Sequence, residues 1–225
     1  MKLHLGCGTR YLEGYVNVDF PAAEHTVQAG LQADLYADIT ALSYPAGSVE
    51  EVRLHHVFEH FSRPVALALL CRWRDWLAPG GRLRIETPDL MASARLLVSP
   101  FRSYDKKQQV IRHLFGSHEA RWAIHWDGWY RERFAVTLRA LGYREPRFRR
   151  NRWGPLRNIE VFAEKGPQSF AVEDYAAAVR SLLVPSTVRV RTVRREVPEG
   201  SEARMLEVWM DLWRAAYEGR AAEGG

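Results

Sequence analysis

The chain has 225 residues, a length for one domain plus an appendage, and enough to bury about 70% of its unfolded surface without a disulfide or metal staple. Apolar residues make up 47% and charged residues 26%, which excludes a disordered or collagenous chain, and no apolar run approaches the roughly 18 residues of a membrane span. The formal charge is +5, from 32 basic and 27 acidic residues, and only four of the basic residues are lysines, so the placement of the arginines decides what the excess means.

The elements alternate in type along the chain. Lys2 to Leu5 reads as a short strand that ends in Gly6-Cys7-Gly8, and Tyr15 to Asp19 as a second. Glu51 to Leu54 is a third. Arg63 to Leu77 has a helical apolar face (Val65, Leu69, Leu70, Trp73, Trp76), stopped by Ala78-Pro79-Gly80-Gly81. Arg82 to Thr87 alternates at strand period. Trp129 to Leu141 is helical, and Arg144 to Arg149 with Ile159 to Glu164 form a closing hairpin. Strands separated by helices imply an α/β fold: a mostly parallel sheet with helical layers and an antiparallel C-terminal hairpin.

Gly166-Pro167 marks a change of texture, so residues 1–165 are expected as the main domain and 166–225 as a C-terminal accessory segment. Helix (172–183), strand (186–197) and helix are expected there, a small α+β tail. Ser201 is the expected N-cap of the last helix, and Met205, Val208, Trp209, Leu212, Trp213 and Ala216 its apolar face. That face would pack on the main domain or on a second subunit, and a homodimer through this segment is expected. With no export signal ahead of Gly6, Cys7 and Cys71 read as reduced thiols of a cytoplasmic protein.

Four motifs carry chemistry. The glycines after the first strand let the backbone approach a ligand, but Tyr11 stands where a dinucleotide fingerprint needs its third glycine, which argues against NAD. Asp19, at the tip of the second strand, suits a two-oxygen grip on ribose hydroxyls, or a turn cap. Asp38-Ile39 could meet a base, with Asp34 competing for that role. Leu54-His55-His56-Val57-Phe58-Glu59-His60 packs three histidines and a glutamate after a strand. It reads as a His base or orienter, or as helix-capping structure; no third ligand at good spacing is evident, so no metal is expected.

In this order, on these elements, the motifs resemble the class I S-adenosylmethionine-dependent methyltransferases, over residues 1 to about 165. Leu5-Gly6-Cys7-Gly8 resembles their glycine-rich motif, Asp19 their ribose-binding acid and Asp38-Ile39 their adenine contact. Leu77-Ala78-Pro79-Gly80-Gly81-Arg82-Leu83 resembles their turn into strand five. The short first crossover and His125-Trp126-Asp127-Gly128 are most similar to the compact bacterial, type 11-like members associated with polysaccharide biosynthesis. The resemblance implies a Rossmann-like three-layer fold. It implies S-adenosyl-L-methionine held by Leu5, Gly6, Cys7, Gly8, Asp19, Phe20, Asp38, Ile39 and His55, with His56 as first and His125 as second candidate base.

The sequence also departs from that family. Thr9 to Gly14 leaves room for only a turn where a helix usually stands, and His4 replaces the usual acid before the glycines. With no helix ahead of the first strand, closure over the cofactor is expected from Asp89 to His125. Trp126 and Trp129 could stack on an acceptor or belong to the core. Six arginines between 144 and 157, with Phe148 and Trp153 interleaved, could meet an anionic acceptor. The function implied is methyl transfer to a hydroxyl or amine of a small-molecule or glycan acceptor. The alternatives are a catalytically silent cofactor-binding scaffold, or an RNA methyltransferase, nucleic acid being a partner not favoured.

Overall fold

A computed structural model describes residues 1–25, 27, 30–191 and 196–220. Seven strands form one sheet: β1 (Lys2–Leu5), β2 (Val16–Asp19), β3 (Leu35–Tyr36), β4 (Val49–His55), β5 (Leu77–Pro88), β6 (Tyr143–Trp153) and β7 (Leu156–Lys165). Their order is β3-β2-β1-β4-β5-β7-β6. Pairing is parallel from β3 to β5 and antiparallel at β7 and β6. This is the expected α/β architecture. The order reverses between β1 and β4, so their C-terminal ends open a crevice there.

One face of the sheet carries the apolar core. Leu3, Leu5, Val18, Val52, Leu54, Ile85 and Val161 are wholly buried on it. Against them lies α1 (Arg63–Trp76), buried along almost its whole length. A helix buried on nearly every side, its Arg72 and Arg74 included, has cover on its outer surface too. That cover is α6 (Gly200–Tyr217), assisted by α5 (Val172–Leu183). Alternate strand residues face the other way and are largely polar: Arg84 and Arg149 both pair with buried Glu160, and Arg53 donates to His55 at 3.0 Å. Among the described residues no α-helix lies between β1 and β2, where Arg10 and Tyr15 close tight turns instead.

The segment 166–220 shares the main core. Asp75 of α1 accepts the hydroxyls of Tyr175 and Tyr217, each at 2.8 Å. Arg74, 1% exposed, donates to the Gly142 and Gln168 carbonyls and the Tyr175 hydroxyl. The last helix differs from expectation: its first turn starts at Gly200, with Glu199 at the cap and Ser201 already inside. Its buried face is Leu206, Met210, Trp213 and Ala216, and Val208 is 55% exposed. The stripe is rotated because α6 seats between α1 and α5 and buries a side of its own choosing there. The expected strand over 186–197 is two short pieces, β8 (Val190–Arg191) and β9 (Glu196–Val197), paired antiparallel; residues 192–195 lie outside the described residues.

Two amphipathic helices follow β5 where the sequence reading named no element: α2 (Leu90–Leu97), capped by the Asp89 carboxylate, and α3 (Tyr104–Phe115). The α4 helix (Arg131–Ala140) leads into β6. The Pro-Gly-Gly segment is a bulge: Leu77 pairs with Val49 and Arg82 with Glu51, so Ala78 to Gly81 loop out between successive rungs.

Candidate functional site

A cavity of about 520 Å³ opens at the C-terminal ends of β1, β2, β4 and β5. Gly6, Cys7, Gly8, Asp19, Phe20, Asp38, Ile39, His55 and His56 all line it. Leu5 does not: it is wholly buried on the core face. His125 is also outside the lining, behind His60, with their rings perpendicular and 4.6 Å apart.

Gly6 has φ +68°, and a Cβ there would lie 2.2 Å from Val57 Cγ2, so a side chain fails on both conformation and space. Its N–H and that of Cys7 both reach the Val18 carbonyl, holding the glycine turn against β2. The Gly8 N–H donates to Asp19 Oδ2 at 2.5 Å, and Phe20 N–H and His25 Nε2 meet Oδ1 at 2.8 and 3.1 Å. The carboxylate is thus oriented by the backbone at the cavity wall. Asp38 uses Oδ1 to cap the turn at Thr40. Asp34, its competitor, accepts from Tyr11 and twice from Asn17 and stands away from the cavity.

His4 occupies the position of the missing acid. It is wholly buried, and its Nδ1 lies 3.0 Å from Asn17 Oδ1. That oxygen already accepts the Leu12 N–H, while the Asn17 amide nitrogen donates elsewhere, so Nδ1 carries the His4 proton. Nε2 is then a bare acceptor, buried without a partner on a residue that lines the cavity. Burial holds the His4 pKa below the ordinary range, outweighing the Asn17 bond. Burial, then the Arg53 charge, lower that of His55 to about 3, so both rings are neutral near pH 7.

His56 is different. Its backbone is left-handed (φ +53°), and the ring sits between Glu59 at 3.2 Å and Glu86 at 3.6 Å. Burial works against its charge, but hydrogen bonds and attraction to the two carboxylates prevail and raise its pKa to about 10. As an imidazolium it has no lone pair for an incoming proton, which does not suit the base role expected of it.

Several wall residues escaped the sequence reading. Glu86 lies in a strand read from its alternation alone, and its parallel register with His55 brings it to the cavity wall. Trp122 donates to the Glu24 carbonyl and tilts over His25 at the cavity mouth, without a local signal. Of the two tryptophans considered for stacking, Trp129 is core, packed on Phe58 and Phe134. Trp126 is 52% exposed and outside the lining.

The arginine cluster of β6 and β7 divides by function. Arg149 pairs with Glu160, Arg157 caps the carbonyls of the Gly154 turn, and Arg152 lines the cavity with Asn151, Trp153 and Asn158.

No protein-family model and no curated protein matches the sequence. Solved structures match it in fold. A SAM-dependent methyltransferase from Archaeoglobus fulgidus is 15% identical over 73% of this chain and 85% of its own, with a TM-score of 0.51. The 1,6-didemethyltoxoflavin-N1-methyltransferase of Burkholderia thailandensis, crystallised with 1,6-didemethyltoxoflavin and S-adenosylhomocysteine, is 14% identical over 73% of this chain and 70% of its own, at 0.49. For a possible exported protein from Bordetella parapertussis the identity is 16% and the TM-score 0.47, and the match covers 73% of this chain but only 61% of that one. With its 3-2-1-4-5-7-6 strand order and its likeness to the Archaeoglobus fulgidus structure, the chain has the class I fold of S-adenosylmethionine-dependent methyltransferases.

Proposed function

We propose that the chain is a methyltransferase that binds S-adenosyl-L-methionine in this cavity and transfers its methyl to a hydroxyl or amine of a small-molecule or glycan acceptor. The supporting observation is the orphaned acceptor Nε2 of His4 in the same cavity as the side-chain-intolerant Gly6 turn and the backbone-oriented Asp19. An amino-acid ammonium suits the first, close backbone approach the second, and a pair of ribose hydroxyls the third. Asp38 keeps Oδ2 free for an adenine amino group, and Ile39 packs beside it. The cofactor supplies an electrophilic methyl on a sulfonium sulfur.

The chain contributes binding, alignment and dryness. Holding an acceptor atom in line with the methyl provides much of the rate by itself. On the acceptor side the wall consists of His60, Phe61, Asn151, Arg152, Trp153 and Asn158. Its amides suit hydroxyl-rich acceptors, the exposed Trp153 ring a sugar face, and Arg152 an anionic group. An acceptor from polysaccharide assembly fits this lining.

Calorimetry tests the reading. S-adenosylhomocysteine should bind the wild type, and Asp19→Ala should weaken it strongly. No binding to the wild type, or undiminished binding by the variant, overturns it. A methyl-transfer screen over glycans, nucleotide sugars and tRNA then identifies the acceptor.

A further inference from the structure

Behind the acceptor wall lies a cluster that the methyl-donor site does not use. Glu59, His60 and His125 each direct one ligand atom into the same space, all within 4.8 Å of one another. Glu59 is 2% exposed; its Oε1 meets His56, and its Oε2 is buried without any partner. A buried carboxylate oxygen without a donor is costly, and a water or a bound ion would relieve that cost. His60 Nδ1 lies 3.1 Å from the Ile124 carbonyl. A carbonyl can only accept, so that nitrogen carries the proton and Nε2 presents a lone pair. Metal-bound histidines are oriented by such bonds. His125 Nε2 stands 4.0 Å from Glu59 Oε1, and its Nδ1 is buried without a partner.

The scaffold fixes these groups from two directions. Trp126 N–H donates to the Glu59 carbonyl and His125 N–H to the Phe115 carbonyl, at 2.9 and 3.1 Å. Those bonds clamp the 124–126 segment over the turn that holds Glu59 and His60. His113, on α3, borders the cluster through His56, and both its ring nitrogens are buried without partners.

We infer that Glu59, His60 and His125 form a binding site for a divalent transition-metal ion, of the two-histidine, one-carboxylate type, with its open positions turned towards the acceptor side of the cavity. Ligand bonds of about 2.0–2.2 Å put ligand atoms roughly 3.0–3.6 Å apart, so spacings of up to 4.8 Å need a contraction of up to about 1.2–1.8 Å. Imidazole with carboxylate favours zinc, cobalt or nickel over magnesium or calcium. His60 also lines the cavity, so an oxygen of the acceptor can reach the ion from there. A bound cation would orient a hydroxyl or carboxylate of the acceptor and lower the pKa of a coordinated hydroxyl. That use rests on the methyl-transfer reading; the ion site rests on its ligands alone.

The test uses the full chain, tag removed and chelator-stripped, titrated with Zn2+ by calorimetry and with Co2+ by visible absorption. One equivalent of each should bind, with cobalt bands of a nitrogen and oxygen ligand set. Glu59→Gln and His125→Gln should weaken binding at least about 100-fold, and His118→Asn, outside the cluster, should leave it unchanged. Since the buried Glu59 variant could misfold, His60→Gln is the second variant, checked by circular dichroism. Absence of stoichiometric binding by the wild type, or equal binding by folded His60→Gln and His125→Gln, overturns the site. S-adenosylhomocysteine binding, measured on the same samples, separates the two proposals: cofactor without metal defeats this one, metal without cofactor defeats the methyltransferase reading.

Discussion

A Cβ on Gly6 would sit 2.2 Å from Cγ2 of Val57, so the glycine turn after β1 and the residue after the β4 histidines are fitted to each other. Gly6→Ala forces both a left-handed alanine and a clash, a combined loss of about 2–4 kcal/mol. In the double variant with Val57→Ala the clash disappears and the conformational part stays. Urea denaturation of the four proteins checks this: failure of Val57→Ala to recover any stability would show that the two do not interact.

Asp19 is held by the Gly8 and Phe20 N–H groups at 2.5 and 2.8 Å. In the proposed cofactor site, removing its carboxylate would delete two charge-assisted contacts to a ribose. Asp19→Ala is expected to weaken S-adenosylhomocysteine by about 100-fold, near 2.7 kcal/mol. Asp38→Ala should have a smaller effect, since one of its oxygens is committed to Thr40. Calorimetry ranks the two.

The segment after 165 is expected to be required for folding. Asp75 receives both Tyr175 and Tyr217, and Trp213 is wholly buried. Tyr217→Phe should cost about 1 kcal/mol and Trp213→Ala about 3–5 kcal/mol. A chain ending at Lys165 uncovers α1 and should aggregate. A stable, monomeric truncated protein would contradict the shared core.

Stability should fall early on acidification. His4 and His55 both have pKa values below 6.5 in the folded state, through burial first, and unfolded chains return them to 6.5. The unfolded state thus binds more protons. Their contribution is complete above about pH 6.5 and declines as pH falls, for His55 down to about 3. Each adds at most about 1.4 kcal/mol per pH unit, less with solvent screening. Between about pH 6.5 and 5 the urea midpoint should drop in the wild type and drop less in His55→Gln, whereas above about pH 6.5 the raised His56 acts in the opposite sense; parallel curves below about pH 6.5 would exclude a neutral His55.

The sequence by itself marked six of the seven strands and the residues proposed to hold the methyl donor; the two-residue β3 escaped it. Apolar alternation marks β1, β2, β4 and β5, and Gly6, Asp19 and His55 stand at or within a residue of their ends, whereas Asp38 follows β3. Local pattern suffices where a residue's role is set by its own strand. It could not determine roles set across the fold. His56 reads as a base in sequence and is held as an imidazolium by Glu59, three residues on, together with Glu86, which arrives from the neighbouring strand. The apolar stripe of α6 is rotated because α1 and α5 decide which side is buried. His125 joins Glu59 and His60 across 65 residues through backbone bonds of an irregular segment. Burial and charge are properties of the assembled surroundings, so only the tertiary structure could fix which histidines are charged, which are neutral and which converge.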